Sequence, residues 1–192
     1  MWILPSRGRP HNVGRFLQAY ENTGATTQVL LRIDDDDSGY DVSHDNWIVE
    51  IGPRLPLSSL YNDIYQRHQC QWFGFVADDV VPETRGWDAR LIDVAGRDGM
   101  AVPSGGQGTP HFVLGADLVD SMGWLCLPGL HRLYIDTVWN DIALQRGVLR
   151  RVPEVVLSHH HFSNGKALMD ATYRKPNRDE DRKTYENWRS LW

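Results

Sequence analysis

The chain has 192 residues, 41% of them hydrophobic and 23% charged, with a formal net charge of −5. These values suit one globular domain that folds without staples, and they exclude a disordered chain, a collagen-like repeat and a disulfide scaffold. The acidic balance speaks against a protein that coats nucleic acid by charge alone, which leaves nucleic acid only as a substrate.

Trp2-Ile3-Leu4 reads as a short strand stopped by Pro5, and Ser6-Arg7-Gly8-Arg9-Pro10 supplies a polar, cationic loop. Asn12 is suited to cap a helix in which Val13, Phe16, Leu17 and Tyr20 fall at i, i+3, i+4 and i+7, with Gly24 just past its end. Residues 28–33 form a buried strand cut off by Asp34-Asp35-Asp36-Asp37-Ser38-Gly39. Strand, helix, strand in that order makes a parallel unit. The pattern repeats: a strand over 47–51, a helix capped by Ser58 or Ser59 and carrying Leu60, Ile64 and His68, then a strand over 72–77. An α/β sheet covered on both faces follows.

Beyond residue 100 the alternation changes. Strands over 100–102 and 111–114 flank the loop 104–110 and point to a mixed sheet with an antiparallel strand. Residues 136–146 carry a helical pattern through Val138, Ile142 and Leu144 with Gly147 as C-cap, and 152–157 is the final strand. The charged tail from Asn177 reads as a peripheral helix anchored by Trp188, Leu191 and Trp192. Cys70 and Cys126 lack CxxC spacing and read as buried thiols. No apolar run approaches the ~20 residues of a membrane helix, and no apolar leader opens the chain, so a soluble cytoplasmic protein is expected.

In open α/β sheets ligands bind beyond the carboxyl ends of the strands, and here those positions are polar. Ser6, Arg7 and Arg9 follow the first strand, Asp34 to Asp37 the second, Asp78 and Asp79 the fourth, and His159-His160-His161 the last. Adjacent carboxylates suit either a divalent cation such as Mg2+ or Mn2+ or a turn that caps the next helix. Strand alternation puts His159 and His161 on one side, where either completes a metal shell. Asp34 and Asp36 suit ribose or base recognition, while the guanidinium groups of Arg7 and Arg9 suit a diphosphate. The alternative for each is a solvated surface charge. Neither GxGxxG nor a P-loop is present, which argues against a dinucleotide enzyme or a Walker-type ATPase. Asp136 reads equally as a helix N-cap or a general base.

Taken in order, Trp2 to Pro10, Asp34 to Asp37, Phe75-Val76-Ala77-Asp78-Asp79-Val80 with Gly86-Trp87-Asp88, Tyr134-Ile135-Asp136, and His159 to Phe162 before Gly165-Lys166-Ala167 resemble the GT-A fold nucleotide-sugar-dependent glycosyltransferases. The likeness is strongest to small, often phage-encoded members of the family-2-like group. It implies an α/β, single-domain, Rossmann-like architecture with a mixed, mostly parallel sheet and helices on both faces, over residues 1–166. Residues 167–192 would be a C-terminal extension packed on the same domain.

The resemblance further implies a metal-dependent, inverting hexosyl- or pentosyltransferase using Mn2+ or Mg2+ and a nucleoside diphosphate sugar, a UDP-sugar foremost. Pro5, Ser6, Arg7, Arg9, Asp34, Asp36 and Asp78 would hold the nucleotide. Asp79 would be the last acid of a DxD-like motif and bind the metal with His159 or His161, and Asp136 would be the general base. The sequence departs from the pattern with Ala77 at the first DxD acid and Ile135 before Asp136. The acceptor would be a hydroxyl of a glycan, a small molecule or a hydroxymethylated base in phage DNA, in a host cytoplasm if the chain is phage-encoded, and a homo-oligomer is compatible. Two other classes use the same residues: a catalytically silent nucleotide- or glycan-binding module, and a metal-dependent nucleotidyltransferase or hydrolase.

Overall fold

The computed structural model of the chain describes residues 1–104, 110–160, 165–166 and 178–192. Along the chain run β1 (Trp2–Ser6), α1 (Pro10–Asn22), β2 (Val29–Asp34), β3 (Trp47–Gly52), α2 (Leu57–Arg67), β4 (Trp72–Phe75) and β5 (Val80–Pro82). They are followed by α3 (Trp87–Ala95), β6 (Met100–Ser104), β7 (Phe112–Gly115), α4 (Ala116–Asp120), α5 (Ile135–Gln145), β8 (Leu149–His159) and α6 (Arg178–Leu191). The strands order as β3-β2-β1-β4-β7-β6-β8-β5. β3, β2, β1 and β4 run parallel, as do β6 and β8, whereas β7 is antiparallel to β4 and β6, and β5 to β8. This is the expected mixed sheet, with its antiparallel strand where the sequence pattern changes.

Period-2 alternation splits the core into two layers. Ile3, Leu30, Phe73, Phe75 and Met100 face α2, α4 and α5 through Leu60, Ile64, Leu118, Val138 and Ile142. Trp2, Leu4, Leu31 and Val113 face α1 and α3 through Val13, Phe16, Tyr20, Trp87 and Leu91. Helices therefore cover both faces of the sheet.

Several boundaries move, each for a physical reason. β1 runs through Pro5 to Ser6, in register with Arg32 and Ile33 of β2, because β4 pairs with β1 only as far as Ile3 and Pro5 is spared a second partner there. Helix α1 begins at Pro10, with Arg9 and not Asn12 at its N-cap, since proline at the first position needs no N–H partner. Likewise Pro56 precedes α2, and Ser58 Oγ donates instead to the Leu130 carbonyl. The last strand is longer than 152–157 because β8 serves two neighbours. Its first half pairs with β6, a bulge falls at Pro103/Ser104, and its end pairs with β5. Helix α6 is anchored by buried Asp181 and Tyr185, while Leu191 is 90% exposed, so the expected anchor at the extreme end is corrected. Cys126 is buried as expected and Cys70 is only partly so.

Helix α3 lies outside the expectation above, although Trp87, Leu91 and Ala95 recur every four residues on its buried side. Its Trp87 packs tilted against Trp2, ring centroids 4.6 Å apart, and the Trp2 indole in turn covers Gly74. A Cβ at Gly74 would come within 2.2 Å of the Trp2 ring, a rigid neighbour held by the Thr27 hydroxyl. Gly74→Ala is therefore expected to cost about 3 kcal/mol, as overpacking does. Denaturant unfolding measures it; an unchanged midpoint would mean the indole has room to turn.

Candidate active site

The strand order reverses direction at β1, whose neighbours β2 and β4 lead to opposite ends of the sheet. Because β4 stops at Phe75, the carboxyl ends of β1 and β4 part into a crevice, the usual ligand position in an open α/β sheet. Ser6, Asp34, Asp78 and Asp79 are all buried at this rim.

One polar network crosses the crevice. Ser6 Oγ donates to Asp78 Oδ2 at 2.7 Å and lies 3.2 Å from the Tyr40 hydroxyl, which donates to Asp37 Oδ2 at 2.8 Å. Arg9 caps α1 with its backbone alone, and its side chain turns a buried Nη1 to Asp78 Oδ1 at 3.1 Å and to Asp79 Oδ2 at 3.6 Å. On the far side His159 Nε2 stands 3.1 Å from Asp79 Oδ1. The backbone fixes that last pair: Val80 is opposite His159 in the β5–β8 ladder, and the His160 N–H donates to the Asp79 carbonyl at 2.7 Å.

A second cluster sits beside the first. Arg7 Nη1 donates to Asp34 Oδ2 at 2.7 Å and Nη2 to Asp36 Oδ2 at 2.8 Å, while the Gly8 N–H donates to Asp37 Oδ2 at 2.6 Å. The aspartate run is thus folded back onto the loop after β1 and does not trail in solvent.

The electrostatics follow from burial and partners. Burial pushes the Asp78 carboxyl up, against the opposing pull of Ser6 and Arg9. Burial also favours neutral Asp37, but hydrogen bonds from the Gly8 N–H and the Tyr40 hydroxyl outweigh it and hold its pKa below the ordinary value. The Arg7 guanidinium holds the exposed Asp36 below its ordinary value as well.

Asp79 and His159 offer one carboxylate oxygen and one imidazole nitrogen to a common point. Their 3.1 Å separation matches the roughly 3 Å edge between neighbouring ligands of an octahedral ion with bonds of about 2.1 Å. No group of three or more candidate ligands occurs among the described residues. An ion held by Asp79 and His159 would take its remaining ligands from phosphates and water. His161 lies outside the described residues.

His111, just before β7, packs its ring edge-on against His159 at 5.0 Å. Among the described residues neither of its ring nitrogens has a hydrogen-bond partner. Burial pushes it down to about 3, aided by His159 and opposed by Asp79. It therefore stays neutral in the folded chain while the unfolded chain protonates it near pH 6.5. Its contribution is present above pH 6.5 and is lost as pH falls from 6.5 towards 3, about 2 kcal/mol at pH 5. In chelator-treated protein, His111→Phe is expected to flatten the fall in melting temperature between pH 6.5 and 4.5; parallel curves would refute this.

Asp136 stands on a different element, half-buried at the start of α5. Parallel β3 ends beside Asp34 at Gly52, and α2 starts five residues later. The Leu57 N–H at the start of α2 donates to the His131 carbonyl at 2.8 Å, tying in the loop that opens α5. Tyr134, not Asp136, is the N-cap, and Asp136 is the second helical residue, its Oδ1 accepting from the Thr137 N–H at 2.9 Å.

No protein-family model and no curated protein matches the chain significantly. Solved structures do. A mannosyltransferase from Pyrobaculum calidifontis, in complex with GDP-Man and Mn2+, is similar with a TM-score of 0.64 at 10% identity, covering 82% of this chain and 55% of that one. TarS from S. aureus gives 0.60 at 10% identity, covering 81% and 58%. Glucosyl-3-phosphoglycerate synthase from Mycobacterium tuberculosis, with Mn2+, UDP and phosphoglyceric acid, gives 0.58 at 9% identity, covering 83% and 70%.

This chain has the GT-A fold. It spans a little over half the length of the first two structures, and at 9–10% identity the likeness is one of fold. Within the GT-A fold, the crevice brings together Ser6, Arg9, Asp78, Asp79 and His159, with Arg7, Asp34 and Asp36 as a neighbouring cluster. Pro5 contributes backbone only, as a strand residue. Tyr40 and His111 are additions to the expected set. Tyr40 stands in irregular chain after the aspartate run, where no periodicity marks it, whereas His111 at a strand start carried a readable signal. Trp87 and Trp139 are fully buried and offer no face to a ligand. No helix among the described residues is long and apolar enough to cross a membrane.

Proposed function

We propose that this GT-A chain is a metal-dependent glycosyltransferase, moving a hexosyl or pentosyl group from a nucleoside diphosphate sugar, a UDP-sugar foremost, to an acceptor hydroxyl. The observation that carries the reading is the buried Asp78–Asp79 pair at the end of β4, met by Ser6, Arg9 and His159 inside the crevice. Burying adjacent carboxylates is costly, and a site that offers a carboxylate and an imidazole beside a guanidinium suits recognition of a metal diphosphate.

Asp79 and His159 would hold the cation, and when bound it would supply Lewis-acid stabilisation of the diphosphate leaving group. Arg9 and Arg7 add fixed positive charge on the same side, where negative charge develops on the β-phosphate as the sugar C1–O bond breaks. Asp34 and Asp36, prearranged by Arg7, face the nucleoside. Asp136 takes the proton of the acceptor hydroxyl as its oxygen bonds to C1, and the nucleoside diphosphate departs. Attack by that oxygen in a single displacement, on the face of C1 opposite the departing diphosphate, makes the transfer inverting. The acceptor class is a hydroxyl of a glycan, a small molecule or a modified DNA base.

A panel of UDP- and GDP-sugars tests the reading, with melting temperature and diphosphate release as the two signals. Mn2+ together with the right donor is expected to raise the melting temperature, by mass action on the folded state, and diphosphate is expected to appear when an acceptor hydroxyl is added. Stabilisation without release under all acceptors would favour a silent binding module. Cleavage of a nucleoside triphosphate or phosphoester instead would make it a nucleotidyltransferase or hydrolase.

A further inference from the structure

We propose that the C-terminal helix α6 is a positioning device for Asp136, acting through Asp181 and Tyr185. The proposal rests on the reading of Asp136 as the base. Asp181 is fully buried, and its carboxylate accepts three consecutive backbone N–H groups: His131 at 2.6 Å, Arg132 at 3.0 Å and Leu133 at 2.8 Å. The His131 ring adds an Nδ1 contact at 3.3 Å. A carboxylate spent wholly on the amides of a distant loop, some fifty residues back in sequence, is a clamp on that loop.

The loop it clamps delivers Tyr134, the one non-glycine residue at positive φ among the described residues (φ 66°). A tyrosine held in the left-handed region persists only where its surroundings over-determine it, and such residues cluster at functional sites. Here Tyr185 of α6 stacks on its ring at 5.0 Å and 15°. The Tyr185 hydroxyl donates to Asp141 Oδ2 at 2.6 Å, about two turns further along α5. Asp181 thus fixes the approach to α5, and Tyr185 fixes both the reversal at Tyr134 and the helix beyond it. Asp136 lies between those two fixed points, two residues after the reversal. Its direction is set by α6, and a small rotation of the α5 start would carry a general base out of reach of the proton it abstracts.

Three variants of the full chain test the assignment. Asp181→Asn is expected to lower kcat by roughly ten- to a hundredfold with the donor dissociation constant unchanged. It is also expected to speed hydrogen exchange at amides 131–137. Added to Asp136→Asn, it is expected to cost no further turnover, because a misdirected base matters only while the base is there. Tyr185→Leu is expected to behave like Asp181→Asn, whereas Tyr185→Phe, which keeps the stacked ring, is expected to recover most of the turnover. Additive losses in the double variant, equal losses in Tyr185→Leu and Tyr185→Phe, or unchanged exchange at 131–137 would each overturn the positioning role. Full turnover in Asp136→Asn alone would overturn the base reading, a failure seen on a different variant and signal.

Discussion

Asp136→Asn is expected to lower turnover roughly 10²–10⁴-fold while leaving donor affinity unchanged. The substitution is chosen because the Asp136 Oδ1 accepts a hydrogen bond from the Thr137 N–H, and an asparagine side-chain oxygen can do the same. The start of α5 is therefore preserved and only the capacity to take a proton is removed. A loss of that size corresponds to about 3–5 kcal/mol of transition-state stabilisation. Turnover measured alongside calorimetric titration of the donor separates the alternatives. If donor affinity falls in parallel with turnover, Asp136 is a structural residue of the crevice and the base lies elsewhere.

The second large effect belongs to Asp79. Asp79→Ala is expected to abolish the response to Mn2+ and to cut turnover by 10³-fold or more, since Lewis-acid stabilisation is worth several kcal/mol and each 1.4 kcal/mol is tenfold, on the order of the stated loss. The same residue also faces Arg9 and His159 inside the protein. Removing it leaves Arg9 with Asp78 and takes the facing carboxylate from His159, so stability falls as well. Asp79→Asn keeps the volume and separates the two contributions: folding should largely persist while the Mn2+ titration goes flat. Full activity with an unaltered Mn2+ response in Asp79→Asn would end the metal assignment.

Most of the helices and strands were legible because burial imposes a period. Trp2 and Leu4 on one face against Ile3 on the other, and the i, i+3, i+4 spacing of Val13, Phe16 and Leu17, are direct records of packing. That Ser6, Arg9, Asp78, Asp79 and His159 meet was legible by position, since strand ends converge on one rim in such a sheet. Other features leave no such record. Three residues, Val80 to Pro82, are too few to display alternation, yet their ladder with β8 sets Asp79 against His159. Asp181 sits in the run Arg178-Asp179-Glu180-Asp181-Arg182-Lys183, where composition predicts a solvated face and one carboxylate is nonetheless wholly enclosed. Caps failed for a related reason: Asn12 and Ser58 have the right chemistry, but prolines at positions 10 and 56 define where the helices start.

The Asp79–His159 contact joins residues that are eighty positions apart through a three-residue strand whose only ladder partner among the described residues is β8, the last strand in the chain order. Half of the candidate donor site is in place once β1, β2 and β4 have paired, but the other half does not exist until β8 has docked. A growing chain therefore gains affinity for a bridging ligand late, in a single step, and such a ligand holds closed the ladder that is hardest to form by chance encounter. Binding at this crevice is, in consequence, a report on completed folding: a molecule that grips both residues distinguishes the finished sheet from every shorter intermediate that precedes it.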